Sequence, residues 1–127
     1  MDANVKQLWI SALRSGEYGQ AIGVLHSTQD DTYCCLGVLC EVAIKNGVYL
    51  DVDHGSQSTR YNNHTAALPY DVMKWSGLGS DSGELEHYLH SKVAYEGERE
   101  VFTCLAQLND EGSFDFNQIA DIIDNQF

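Results

Sequence analysis

Between Cys35 and Ile44 only Gly37 and Glu41 interrupt a run of apolar side chains: Cys35, Leu36, Val38, Leu39, Cys40, Val42, Ala43 and Ile44. A segment apolar on nearly every side has to be buried on nearly every side, so this stretch is expected to be the centre on which the rest packs. The pattern predicts a helix over about Tyr33 to Asn46, with an aspartate of the preceding turn (Asp30 or Asp31) as its cap and Asn46-Gly47 as its end. Gly37 has no Cβ and would let another element approach closely.

Flanking segments carry their own periodicities. Val5, Leu8, Trp9, Ala12 and Leu13 make an apolar stripe and predict a helix over 4–14, capped by Asp2 or Asn4 and ended by Gly16. Residues 16–20 then read as a turn, Ala21 to Ser27 as a short strand and 28–31 as a polar turn. Val48 to Val52 suits a strand, and the polar stretch 53–65 suits a hairpin or exposed loop with a weak pairing strand near Thr59 to Tyr61. Pro69 at a first helical position predicts a short helix ending at Ser76-Gly77, with Val72 and Trp75 turned to the core. Residues 84–93 fit either period; a strand is the preferred reading. Val101, Cys104, Leu105 and Leu108 predict a helix over 98–108, followed by a turn at 109–112. Asp115 with Gln118 makes a capping-box pattern, after which Phe116, Ile119, Ala120 and Ile123 form a last helical stripe.

No repeat and no linker divides the 127 residues, so one domain spanning 1–127 is expected. The fold class is α+β: a buried central helix and two terminal helices packed on a small antiparallel sheet drawn from 21–27, 48–65 and 84–94.

Charge constrains function more than pattern does. The chain has 19 acidic and 7 basic residues and a net charge of −12. Phosphate backbones require clustered Lys and Arg, so direct nucleic-acid binding is disfavoured. The segment from Leu105 to Ile123 has the outline of the first two helices of a helix-turn-helix, but no Lys or Arg follows Arg99, and DNA reading is disfavoured there too. Acidic membranes are disfavoured for the same reason, and no run reaches the roughly 18 apolar residues of a membrane helix. The acidity either serves solubility or forms a surface that fits a basic site on another protein. Met1-Asp2-Ala3-Asn4 has no basic and apolar leader pattern, so the thiols are expected reduced, in a cytoplasm.

Chemistry-bearing residues are scattered. Cys34, Cys35, Cys40 and Cys104 lack the spacing of a zinc site and sit inside apolar stripes, where thiols behave as small hydrophobes; a metal or thiol enzyme is the least favoured reading. His87 and His90 could share a metal on a helix but would face apart on a strand. No phosphate-binding loop, dinucleotide fingerprint or hydrolase elbow occurs, so no cofactor, metal site or catalytic residue is assigned. Arg14, Tyr18 and Gln20 follow the first helix, and Asn109 with Asp110 follows the penultimate one. Together they offer a guanidinium, a phenol and amides that could bind a planar or phosphorylated small molecule. Equally, they could tie the turns to the core through backbone hydrogen bonds.

The segments Trp9-Ile10-Ser11-Ala12-Leu13-Arg14-Ser15-Gly16-Glu17-Tyr18-Gly19-Gln20, Tyr33-Cys34-Cys35-Leu36-Gly37-Val38-Leu39-Cys40 and Leu68-Pro69 to Trp75-Ser76-Gly77-Leu78 resemble a family of small phage and prophage proteins. So do Leu105 to Gly112 and Ile119 to Ile123, while Ser113-Phe114 departs from the family's ending. The resemblance covers nearly the whole chain and carries over no catalytic residue. It implies a viral accessory protein in the host cytoplasm, of the kind that binds and disables host components, defence systems included. Two mechanisms are expected to compete: an acidic surface occupying a host protein's basic site, or a pocket around Arg14, Tyr18 and Gln20 sequestering a small nucleotide-like signal. A homo-oligomer is compatible with the sequence, which leaves over no apolar stripe that demands one.

Overall fold

The apolar stretch is a helix, α2 (Cys35–Lys45), and a thiol caps it. Cys34 is extended, and its Sγ accepts from the Gly37 N–H at 3.4 Å. Neither aspartate of the preceding turn caps it: Asp31 takes a left-handed backbone conformation (φ 53°) and its carboxylate turns to His26. Cys35 through Cys40, Val42 and Ala43 are all buried. Removing Leu36 and Leu39 fully from water is worth about 1.5–3 kcal/mol each. Gly37 works as expected: the backbone of Leu25 passes so close that a Cβ would overlap the Leu25 carbonyl.

The computed structural model describes residues 1–90 and 100–127. Ahead of α2 come α1 (Ala3–Arg14) and three two-residue strands, β1 (Gly19–Gln20), β2 (His26–Ser27) and β3 (Thr32–Tyr33). After it come β4 (Val52–His54), β5 (Thr59–Tyr61), α3 (Tyr70–Ser76), β6 (Glu84–His90), β7 (Val101–Cys104), α4 (Leu105–Asp110) and α5 (Phe116–Gln126). Helix α2 is packed by α1, α3 and α4, while α5 lies along α1. Trp9 of α1 is fully buried, and its indole N–H donates to the Cys35 carbonyl at 2.9 Å. Asp2 caps α1, as expected, by accepting from the Val5 N–H. The stripe of α1 is rotated slightly: Ile10 is buried and Leu8 is 43% exposed. Both bonds of the Asp115–Gln118 capping box form, at 2.8 and 2.9 Å.

The class is α+β, with the strands divided among three small sheets instead of one. In the first, β3 lies between β1 (parallel) and β2 (antiparallel). Strands β4 and β5 form a hairpin, and β6 pairs with β7 across a register irregularity. An isolated bridge, Ser27 to Ser58, joins the first two sheets, beside a bond from the Thr28 N–H to the Gln57 carbonyl.

In 21–27, and in part in 48–52, side chains replace ladder partners. In 21–27 only His26–Ser27 is a strand: the Ala21 carbonyl and the Gly23 N–H are taken by Asn109 and Asp110. In 48–52 only Val52 is in a strand. The Val48 N–H closes α2 on the Ala43 carbonyl, and the Asp51 N–H donates to the Asn62 side chain. The helix expected over 98–108 begins only at Leu105. Val101, Phe102 and Thr103 suit a pleated strand; Val101 and Phe102 pair with His90 and Leu89 of β6, while Gln107 reaches back to accept from the Thr103 N–H at 2.9 Å. Residues 98–99 of that helix and 91–94 of the expected strand lie outside the described residues. Asn109 and Asp110 finish α4, where a turn was expected. Pro69 stands at the cap of α3, one residue before the first helical position. Among the described residues no helix is long and apolar enough to cross a membrane.

Candidate functional site

The five residues offered by the sequence separate into two uses. Arg14, in the last turn of α1, ion-pairs with Asp121 at 2.6 Å and donates to the Asn117 carbonyl at 3.4 Å, which fastens α1 to α5. The Tyr18 hydroxyl accepts from Lys45 Nζ at 2.9 Å, and its ring stands edge-on to Tyr33. Neither reaches the other three.

Gln20, Asn109 and Asp110 do meet. Asn109 is buried, and its Oδ1 accepts from Gln20 Nε2 at 2.9 Å and from the Cys35 N–H at 3.2 Å. Its Nδ2 donates to the Ala21 carbonyl at 2.8 Å and to Asp110 Oδ1 at 2.9 Å. That uses both donors and both acceptor sites of the carboxamide. Gln20 also donates to the Phe114 carbonyl at 2.8 Å, and Asp110 accepts from the Gly23 N–H at 3.0 Å. The group holds the 21–23 loop, the first turn of α2 and the end of α4 in one knot. Gln20 and Asn109 also border a shallow depression of about 260 Å³ with Ile22 and Phe114.

Three of the four thiols, Cys34, Cys35 and Cys40, are buried. Burial pushes Cys34 up to about 11 and holds Cys35 and Cys40 well above the usual range, so none of the three supplies a thiolate at neutral pH. His87 and His90 are both exposed on β6, His87 within the strand's register irregularity and His90 paired with Val101. Among the described residues no three His, Cys, Asp or Glu side chains converge as a metal site would need.

One polar cluster escaped the sequence reading. His26 is buried; its Nε2 lies 2.8 Å from Asp31 Oδ1 and its Nδ1 lies 2.6 Å from Thr59 Oγ1. His54 Nδ1 reaches the same hydroxyl at 3.0 Å. With both rings neutral, only one arrangement satisfies every atom. The His26 Nε2–H donates to Asp31, the Thr59 hydroxyl donates to His26 Nδ1, and the His54 Nδ1–H donates to Thr59. The His26 ring stacks on Tyr33 with centroids 4.2 Å apart. Burial, and then the neighbouring carboxylates of Glu41 and Asp31, push the Tyr33 hydroxyl up to about 12. Hydroxyl, imidazole and carboxylate in series suggest a nucleophile, but Thr59 is wholly buried, so the chain of bonds is a fastener between the first two sheets. No local motif announces it, since Thr59 lies 33 residues from His26.

What faces outward is acid. The ion pairs Lys6–Asp124 (3.9 Å) and Arg14–Asp121 lie on the α1–α5 seam. Even if all 7 basic residues were paired, the net charge of −12 would remain on the surface. On β6, Glu84 and Glu86 are exposed on either side of buried Leu85. There, among the described residues, two side chains meet the outer side of the strand: Ser80 Oγ accepts from the Glu84 N–H at 2.7 Å, and the Gln126 carboxamide accepts from the His87 N–H at 3.0 Å and donates to the His87 carbonyl at 3.0 Å. A depression of about 350 Å³ adjoins it, bordered by Gly79, Ser80, Leu85 and Phe127.

Over its whole length, residues 1–127, the chain matches a family described as "Domain of unknown function (DUF8296)", and it belongs to that family. No curated protein and no solved structure matches it.

Proposed function

We propose that this family member is a phage accessory protein that works by binding. In the host cytoplasm it lays its acidic surface on a basic site of a bacterial protein, a defence component or another host factor, and blocks it. The observation that carries this reading is the uncompensated charge: 19 acidic residues against 7 basic ones. Crowded like charge costs folding stability through self-repulsion and attracts a partner of opposite sign, steering association. The resemblance to small phage proteins supports the setting.

The alternative, sequestration of a nucleotide-like signal around Arg14, Tyr18 and Gln20, has less to support it. The Arg14 guanidinium is occupied by Asp121, and Gln20 is spent on Asn109 and Phe114. The experiment that separates the two is capture from infected host lysate on the immobilised protein, analysed for proteins and small molecules together. The expected result is a basic host protein released by raised salt. Recovery of a nucleotide, with no protein partner, would overturn the reading.

A further inference from the structure

We infer that the outer edge of β6, where Gln126 now sits, takes an extended segment of the partner as an added strand, and that this segment alternates basic and small apolar residues. The inference rests on the acidic-binding reading and specifies where and how the surface takes hold.

Among the described residues strand β6 has a ladder partner on one side, β7. A strand edge with open N–H and C=O groups is a template for another chain, and folded proteins ordinarily blunt it with charge, proline, bulges or a covering element. On β6 the register irregularity between Glu84 and Leu89 blunts part of the edge, Ser80 takes the Glu84 N–H, and at His87 the cover is a side chain imitating a strand. Gln126 exchanges two hydrogen bonds with His87, one each way and both 3.0 Å, as a residue of an antiparallel neighbour would. The main-chain groups of His87 therefore point outward and accept amide geometry. A side chain holding them by two bonds, at the last helical residue of α5, is a weaker occupant than a strand with a continuous ladder.

The chemistry around the edge selects the segment. Glu84 and Glu86 are both exposed and lie two residues apart, on one face of the strand. Opposite-charge cross-strand pairs stabilise a sheet and like charges oppose it, so Lys or Arg at alternate positions fits. The depression beside the strand is bordered by both glutamates as well as by Leu85 and Phe127, so it has room for small apolar side chains against Leu85 and Phe127 within reach of both carboxylates. A second copy of this chain would bring its own net charge of −12 against the same surface, which disfavours self-pairing.

The test uses the full chain, labelled for amide detection, with two synthetic peptides of about eight residues, within the usual range of strand lengths. One alternates Lys and Val. The other has the same sequence with alternate backbone amides N-methylated, which keeps the charge and removes the ladder bonds. The first peptide should bind and slow hydrogen exchange at the His87 amide, and the methylated one should bind at least roughly tenfold more weakly. Gln126→Ala should strengthen binding by removing the competitor, and Glu84→Lys with Glu86→Lys should weaken it. Equal binding of the two peptides, falling steeply with salt, would overturn strand addition and leave the acidic-surface reading standing. Salt-indifferent binding that still protects His87 would do the reverse. No binding of either peptide, or a dimer that protects His87 without peptide, would overturn the inference.

Discussion

His26 Nδ1 and the hydroxyl of Thr59 lie 2.6 Å apart, both buried, and they join β2 to β5 across 33 residues of sequence. The bond is directional because Asp31 fixes the other ring nitrogen as a donor. Thr59→Val keeps the shape and deletes the hydroxyl, leaving His26 Nδ1 buried without a partner. It should cost about 1–3 kcal/mol, whereas Thr59→Ser should cost less. Urea unfolding of the three proteins checks the order; equal stability of Thr and Val would mean the bond contributes nothing.

Helix α2 was legible because its signal is local: apolar all round, ended at Asn46-Gly47, with a bare Gly37. The capping box of α5 and the end of α3 at Gly77 were legible for the same reason. What was not legible is long-range substitution of side chain for main chain. Asn109 stands in for a strand against Ala21, and Gln126 for one against His87. Neither leaves a trace in periodicity. The chemistry of Arg14, Tyr18, Gln20, Asn109 and Asp110 is plain in the sequence, but their separation is set by the fold, which draws Arg14 to Asp121 and Tyr18 to Lys45.

At Gly37 a Cβ would overlap the Leu25 carbonyl, which belongs to main chain and cannot swing aside. Gly37→Ala should therefore lose more than about 3 kcal/mol, read as a collapse in melting temperature. Gly79, with nothing within 4 Å of its Cβ position and no left-handed φ, is the control. Gly79→Ala should change stability by no more than about 0.5 kcal/mol.

The Asn109 knot and the Arg14 ion pair should differ sharply. Asn109→Ala strands the Cys35 N–H and the Ala21 carbonyl, at about 2–4 kcal/mol in all. Arg14→Ala breaks an exposed pair and should cost less than about 1 kcal/mol. Denaturant midpoints of the two variants give the comparison directly, and an Arg14 effect as large as that of Asn109 would contradict the arrangement.

Alkaline pH should destabilise the fold. In the unfolded chain Cys34 ionises near 9.0, while burial in the native state holds it up to about 11; Tyr33 moves from 10.0 to about 12. Between those values the unfolded state releases protons that the native state keeps, so stability falls as pH rises. The stabilisation is whole below about pH 9 and declines towards pH 11 and above, at roughly 1.4 kcal/mol per pH unit for buried Cys34 and less for the partly solvated Tyr33. Melting temperature followed from pH 7 upward checks the sign. In the same range Cys34, Cys35 and Cys40 should resist alkylation until denaturant is added.

The most direct measurement is the dissociation constant for the captured host protein against ionic strength, for the native chain and for the double variant Glu84→Lys, Glu86→Lys. Binding driven by the acidic surface should weaken more than about tenfold between roughly 50 and 500 mM salt, where the screening length contracts from beyond 10 Å towards 4 Å. The double variant should bind more weakly and with a shallower salt slope. An affinity indifferent to salt and unchanged by the two reversals would contradict the account.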